Sequence, residues 1–256
     1  MMKPSYACAA LALFLAPACA QDKAAETETP DLSREQIEEI VRAYIMENPE
    51  VILESVNAYA ERQELESANR FKETARAKLA TLMSETDGVV MGPKDAEVVI
   101  VEFFDYHCGY CKTASPVIRE FAEKDDAVKV VFREFPILKQ ESVVAAELAL
   151  AAREQGKYKE LHFALMNAGG TLTASRVETL AKSVGVDVKK LDAARATGAY
   201  AETIDRTRAL AQEMGVSGTP ALIIARTDGT FVEAFSGWTE PGLRAAVDAA
   251  KSGAKS

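Results

Sequence analysis

The sequence predicts an α/β domain with a helical insertion, preceded by an α-helical stalk. Three observations predict it. The apolar run Val98-Val99-Ile100-Val101-Glu102-Phe103-Phe104, the helical pattern from Thr113 to Glu123 and a further strand from Val128 to Phe135 form a strand-helix-strand unit, read as parallel. Helical patterns then follow one another at Glu141 to Glu154, Lys157 to Asn167, Ala174 to Val184, Val188 to Ala196 and Tyr200 to Met214. Two short strands, Ala221 to Ala225 and Phe231 to Phe235, and a helix from Pro241 to Lys251 close the chain, with Asp228-Gly229 as the hairpin turn.

The elements before that domain differ in kind. Residues 1–20 carry Lys3 as their only charge, an apolar core from Ala9 to Leu15 and the ending Ala18-Cys19-Ala20, which is the pattern of a secretory signal peptide. Cys19 also leaves open a lipoprotein-type cleavage, in which it would be acylated. Gln21 to Pro30 is small, polar and acidic, too poor in apolar groups to bury a core, and reads as a disordered tether. Residues 31–86 read as a helical oligomerisation segment. Ser33 and Gln36 have capping-box spacing, and Ile37, Ile40, Val41, Tyr44 and Ile45 recur at helical intervals up to Asn48-Pro49. A second helix then runs from Pro49 to about Met83, with no glycine or proline inside, for about 50 Å at 1.5 Å per residue. Its polar middle, Glu61 to Glu66, points to a stalk; the alternative is a pair of helices folded back on the domain as a cap. Residues 87–256 form the catalytic domain, with an edge strand at Val89-Val90-Met91 and a turn at Pro93 to Ala96.

The chemistry is carried by Cys108-Gly109-Tyr110-Cys111, at the junction of the first long strand and its helix. Unpaired N–H groups and the positive end of the helix dipole favour an anion there, lowering a thiol from ~8.5 into the range ~3.5–7.5. Cys108 is the expected nucleophile. Cys111, one turn on and more buried, resolves the mixed disulfide. Cys8 and Cys19 leave with the signal peptide, so one pair remains, as in an exported catalyst rather than a disulfide-stapled scaffold. A zinc half-site is the competing reading, but the only histidine outside the motif's neighbourhood is His162, read as an ordinary helix-face residue. His107 precedes the nucleophile; it could stabilise the thiolate, join both sulfurs on a soft metal, or be a partly exposed polar neighbour. Trp238 is read as packing at the hairpin's end.

Charge narrows the partners. The formal charge of -9 gives no electrostatic case for nucleic acid, and no segment reaches the ~18 apolar residues of a membrane span.

With CGYC opening a helix, a helical insertion and Thr219-Pro220 before the final hairpin, the chain from about Val89 to Lys251 resembles the DsbA family of exported thioredoxin-fold disulfide oxidoreductases. The preceding helices look like the N-terminal segment of its ScsC-type branch, whose members oligomerise through it. The resemblance implies a thioredoxin fold and a client-binding set of Thr219, Pro220 and Tyr110. It also implies a cis Thr219-Pro220 bond, the alternative being a trans proline at a strand start. Glu102 matches the family's acid beneath the disulfide and would relay the proton of Cys111 if it faces inward, against an alternative at the strand's solvent edge. No cofactor or metal is implied. CGYC with Thr-Pro also occurs in the family's bacterial isomerases. This favours an isomerase or reductase of cysteine-containing clients, kept reduced by a membrane electron donor of the DsbD type and working as a homo-oligomer through residues 31–83. A dithiol oxidase, a soft-metal (copper) binding protein and an inert scaffold are the alternatives.

Overall fold

The computed structural model describes residues 32–253, so the signal peptide, the tether, Cys8 and Cys19 lie outside the described residues. The described residues divide into two units, with the boundary between Ser55 and Val56.

In the first unit, α1 (Arg34–Glu47) starts at a complete capping box: Ser33 Oγ accepts from the Gln36 N–H at 3.3 Å, and Gln36 Oε1 accepts from the Ser33 N–H at 3.0 Å. It stops at Asn48, ahead of Pro49. None of its residues is buried, so Ile37, Ile40, Val41 and Tyr44 form an uncovered apolar stripe. Helix α2 (Glu50–Ala77) carries the chain onward; Phe71 and Ala75, near its end, are its buried residues.

The second unit is a five-stranded mixed sheet of order β1-β3-β2-β4-β5. Its strands are β1 (Val89–Met91), β2 (Val98–Phe104), β3 (Val128–Glu134), β4 (Ala221–Arg226) and β5 (Val232–Ser236). Only β2 and β3 pair in parallel, as the strand-helix-strand reading requires, and α4 (Gly109–Lys124) is their crossover. Every residue of β2 is buried, because both faces of the central strand are covered. Between β3 and β4 lies the insertion: α5 (Gln140–Ala151), α6 (Tyr158–Asn167), α7 (Ala174–Ser183), α8 (Val188–Arg195) and α9 (Ala199–Glu213). Helix α10 (Glu240–Lys251) ends the domain.

Side-chain alternation along β2 splits the core in two. Val98, Ile100 and Phe104 join Cys111, Ile118 and the insertion on one face; Val99, Val101 and Phe103 join Phe71, Ala75, Leu79, Leu82 and α9 residues on the other. The second face corrects the expected end of the second helix. The helical run breaks at Lys78 rather than reaching Met83, and a last turn, α3 (Leu79–Leu82), places both leucines in the core. Buried Arg133 holds that turn, donating to the carbonyls of Leu82 at 2.8 Å, Ser84 at 3.3 Å and Thr81. The β4–β5 connection is also longer than a two-residue turn: Arg226 N–H bonds Phe231 O, and Asp228 and Gly229 lie inside that loop.

Candidate functional site

The carboxyl end of β2 delivers the chain directly into the redox motif. Cys108 is the N-cap of α4, with extended backbone (φ -74, ψ 115), and its Sγ accepts from the Cys111 N–H at 3.4 Å. A sulfur thus occupies the place where serine or aspartate usually caps a helix. The Cys108 thiol donates to the Thr219 carbonyl at 3.1 Å, and the Thr219–Pro220 bond is cis. Residues separated by more than a hundred positions therefore meet at one sulfur. Gly109 and Tyr110 are exposed, while Cys108 is 5% and Cys111 0% exposed.

The two thiols are electrostatically unequal. Hydrogen bonding from the Cys111 thiol, with further help from the Thr219 side chain and the Cys111 and Tyr110 backbone, draws Cys108 down to about 6 against the opposing effect of burial. Burial pushes Cys111 far up, and the neighbouring Cys108 and Glu102 push the same way. Both are free thiols. The arrangement suits one ready nucleophile and one thiol that ionises only when a base takes its proton.

Glu102 faces inward rather than lying at a solvent edge. It is 2% exposed, its Oε1 has no hydrogen-bond partner among the described residues, and burial, then the charge of Cys108, raise it to about 8. Beside it in the sheet lies a group that sequence reading missed. Glu134 on β3 pairs with Phe104 while Glu102 pairs with Phe132, which sets the two carboxyls diagonally across adjacent strands on one face. Glu134 Oε1 accepts from Tyr106 and Tyr158 hydroxyls, both at 2.8 Å, and burial raises its pKa strongly. The signal was weaker than for Glu102, because Glu134 directly follows Arg133 in a strand that also holds Lys129.

Three aromatic readings change. His162 is not an ordinary helix-face residue: it is wholly buried, 3.1 Å from the Tyr106 hydroxyl and packed against the rings of Phe104, Phe132, Tyr158 and Phe163. Desolvation lowers it to about 3, so it is neutral. Trp238 does more than pack: its Nε1 donates to the Tyr110 carbonyl at 3.0 Å, beside a groove of about 240 Å³ lined in part by Leu222, Phe235 and Leu243. The side chain of His107 is 4% exposed, and both its ring nitrogens are engaged, by Ser142 Oγ at 2.8 Å and the Leu172 N–H at 3.0 Å. Burial lowers its pKa. It is therefore a neutral, held ring, neither a thiolate-stabilising cation nor a ligand with a free nitrogen.

A buried thiol pair capping a helix, opposite a cis-proline loop on a mixed sheet, defines the thioredoxin-like redox class. A model of the DSBA-like thioredoxin domain matches residues 99–241, and one of the copper resistance protein ScsC N-terminal domain matches residues 34–66. The chain belongs to the DSBA-like thiol-disulfide oxidoreductase family, in its ScsC-like branch. It is 35% identical to a thioredoxin-like oxidoreductase from Silicibacter pomeroyi, over 65% of this chain and 93% of that one, with a TM-score of 0.59. BcfH of Salmonella enterica Typhimurium is 28% identical over 85% of this chain and 95% of its own, with a TM-score of 0.72. Among curated proteins it is 32% identical over 141 residues to a Na(+)/H(+) antiporter, NhaA 3 of Salinispora tropica, matching 53% of this chain. The chain spans about a fifth of the length of the curated relatives it matches (21% for this one). No helix among the described residues is long and apolar enough to cross a membrane.

Proposed function

We propose that the chain is an exported, periplasmic disulfide isomerase or reductase acting on misfolded client proteins. The observation that carries this reading is the inequality of the paired thiols, one capping α4 at about 6 against the Thr219 carbonyl, the other buried and held protonated. The Cys108 thiolate attacks one sulfur of a client disulfide, forming a mixed disulfide and releasing the other client sulfur as a thiolate that takes up a proton. Two outcomes follow. Another client thiolate can attack the client sulfur of the adduct, returning Cys108 reduced with the client's disulfides rearranged and no net electron transfer. Alternatively, Cys111 loses its proton to Glu102 and attacks Cys108 Sγ, leaving the client as a dithiol and the enzyme as a disulfide. Two electrons and two protons from a dithiol donor, of the DsbD type, then restore the pair. Thr219, Pro220 and Tyr110 receive the client backbone beside Cys108.

The direction rests on the motif: Gly109 and Tyr110 add no charge to hold the thiolate, so nothing between the cysteines biases the pair toward strong oxidation. The test is refolding of a scrambled disulfide substrate by prereduced protein, beside oxidation of a reduced substrate by the disulfide form. Recovery in the first with little in the second is expected; strong oxidation without unscrambling makes the protein a dithiol oxidase instead.

The uncovered stripe of α1 supports assembly through residues 31–83. Deleting residues 31–65, which leaves Phe71 and Ala75 to cover the sheet, is expected to give a monomer that keeps small-disulfide exchange and loses unscrambling activity. A variant of unchanged mass and unscrambling rate would refute this.

A further inference from the structure

The residues that bracket the motif, His107 before Cys108 and Lys112 after Cys111, both reach to the same segment of the insertion. His107 Nε2 accepts from the Leu172 N–H at 3.0 Å; Lys112 Nζ donates to the Leu165 carbonyl at 3.2 Å and to that of Ala168. Lys112 thereby satisfies carbonyls at the end of α6, where a cation is favoured by the helix dipole. The α6–α7 connection is fastened at both of its ends to the two ends of the redox motif. Between the fastenings, Gly169, Gly170 and Thr171 are exposed.

The His107 anchor has a defined protonation state. A backbone N–H only donates, so Nε2 carries no proton and the neutral ring carries its own on Nδ1. That proton goes to Ser142 Oγ at 2.8 Å, and the Ser142 hydroxyl donates to Asp105 Oδ1 at 2.7 Å. Asp105 in turn accepts from the N–H groups of His107 at 2.7 Å and of Ile137 and Leu138, both at 2.9 Å. Every polar atom of the chain Leu172–His107–Ser142–Asp105 is matched donor to acceptor, tying α5, the β3–α5 loop and the α6–α7 loop to the residue before the nucleophile.

We propose that His107 and Lys112 are positioning residues that strap residues 168–172 along the redox motif, making this loop a wall of the client site. The proposal rests on the reading of Cys108 and Cys111 as an exchange pair. A small disulfide needs only Cys108, whereas a polypeptide must also fit against whatever flanks it. Releasing the strap should therefore raise KM for polypeptide disulfides and leave small-molecule exchange alone.

The test compares His107→Leu, which removes donor and acceptor, with His107→Gln, whose amide can supply both, and with Lys112→Met. Hydrogen exchange at Leu172 and its neighbours is expected to accelerate about tenfold in His107→Leu, the equilibrium worth of one net hydrogen bond, and to stay near wild type in His107→Gln. KM for a peptide disulfide should rise severalfold in His107→Leu and Lys112→Met with kcat retained, while exchange with a small aromatic disulfide stays within about twofold. Unchanged loop exchange in both His107→Leu and Lys112→Met overturns the strap, as does equal loss on small and peptide substrates. The exchange measurement needs no turnover, so it decides the strap even if the wild-type protein and Cys108→Ser prove equally inert, the result that would defeat the redox reading instead.

Discussion

Replacing Cys108 by serine is expected to remove thiol-disulfide exchange altogether, and replacing Cys111 by serine to stop it halfway. A serine hydroxyl at the α4 N-cap has no accessible anion near neutral pH, so no nucleophile remains. In Cys111→Ser the Cys108 thiolate still attacks, but nothing within the protein resolves the adduct. A client-linked species should accumulate on non-reducing gels and in intact mass. Serine is the appropriate replacement because its hydroxyl can still donate to the Cys108 sulfur, taking over the largest stabilisation of that thiolate. Cys111→Ala lacks that donor, and its Cys108 titration, followed by thiolate absorbance, should move up from about 6. The same shift has a sign in stability. A depressed thiol stabilises the folded reduced form fully above the unfolded pKa of ~8.5 and loses that contribution as pH falls through about 6. The stability difference between reduced wild type and Cys108→Ser should thus grow between pH 6 and 9, by roughly 3–4 kcal/mol. Residual exchange in Cys108→Ser, or no adduct in Cys111→Ser, would sink the assignment of the two roles.

The motif was legible because its geometry is local: a strand, a sharp entry and a helix N-terminus within fourteen residues of continuous chain, Val98 to Cys111. The same locality made α1 and its capping box readable. What escaped reading depends on chain segments that meet only after folding. Glu102 stood out as a charge in an apolar run, but a strand covered on both faces has no polar side, so alternation could not say which way it points. His162 has ordinary helical spacing; its burial comes from β2 and β3 placing Phe104 and Phe132 against α6. Nothing near Lys78 signals a helix break by composition, and Leu79 and Leu82 are drawn into the core on the Val99, Val101 and Phe103 face by the sheet and by Arg133. Trp238 and His107 likewise acquire partners 128 and 65 positions away.

Glu102→Gln is expected to stabilise the protein at alkaline pH and to slow resolution of the mixed disulfide. Both effects follow from a carboxyl buried with an unpartnered oxygen and raised to about 8. Below an unfolded pKa of ~4.3 the acid is protonated in folded and unfolded chains alike and costs nothing. Between that value and about 8 the unfolded chain releases the proton and the folded one keeps it, so stability falls as pH rises; above about 8 the loss is complete. It amounts to about 4–5 kcal/mol in order of magnitude. Glutamine cannot ionise, so the gap between variant and wild type should be small at pH 4 and open steadily to pH 9 in denaturant titrations of the reduced proteins. Resolution should respond oppositely. Cys111 is held protonated by its burial, and the ionised Glu102 carboxylate is the base whose charge it feels most directly after the Cys108 contact. In the mixed disulfide Cys108 carries no charge, so only burial holds Glu102 up; the wild-type rate of Cys111 attack should climb with pH, beginning below 8, as that base appears, and Glu102→Gln should lose the climb and run about a hundredfold slower at the wild-type plateau. The two measurements separate burial from chemistry: a variant that gains alkaline stability but resolves adducts at the wild-type rate leaves Glu102 a buried acid with no part in proton transfer.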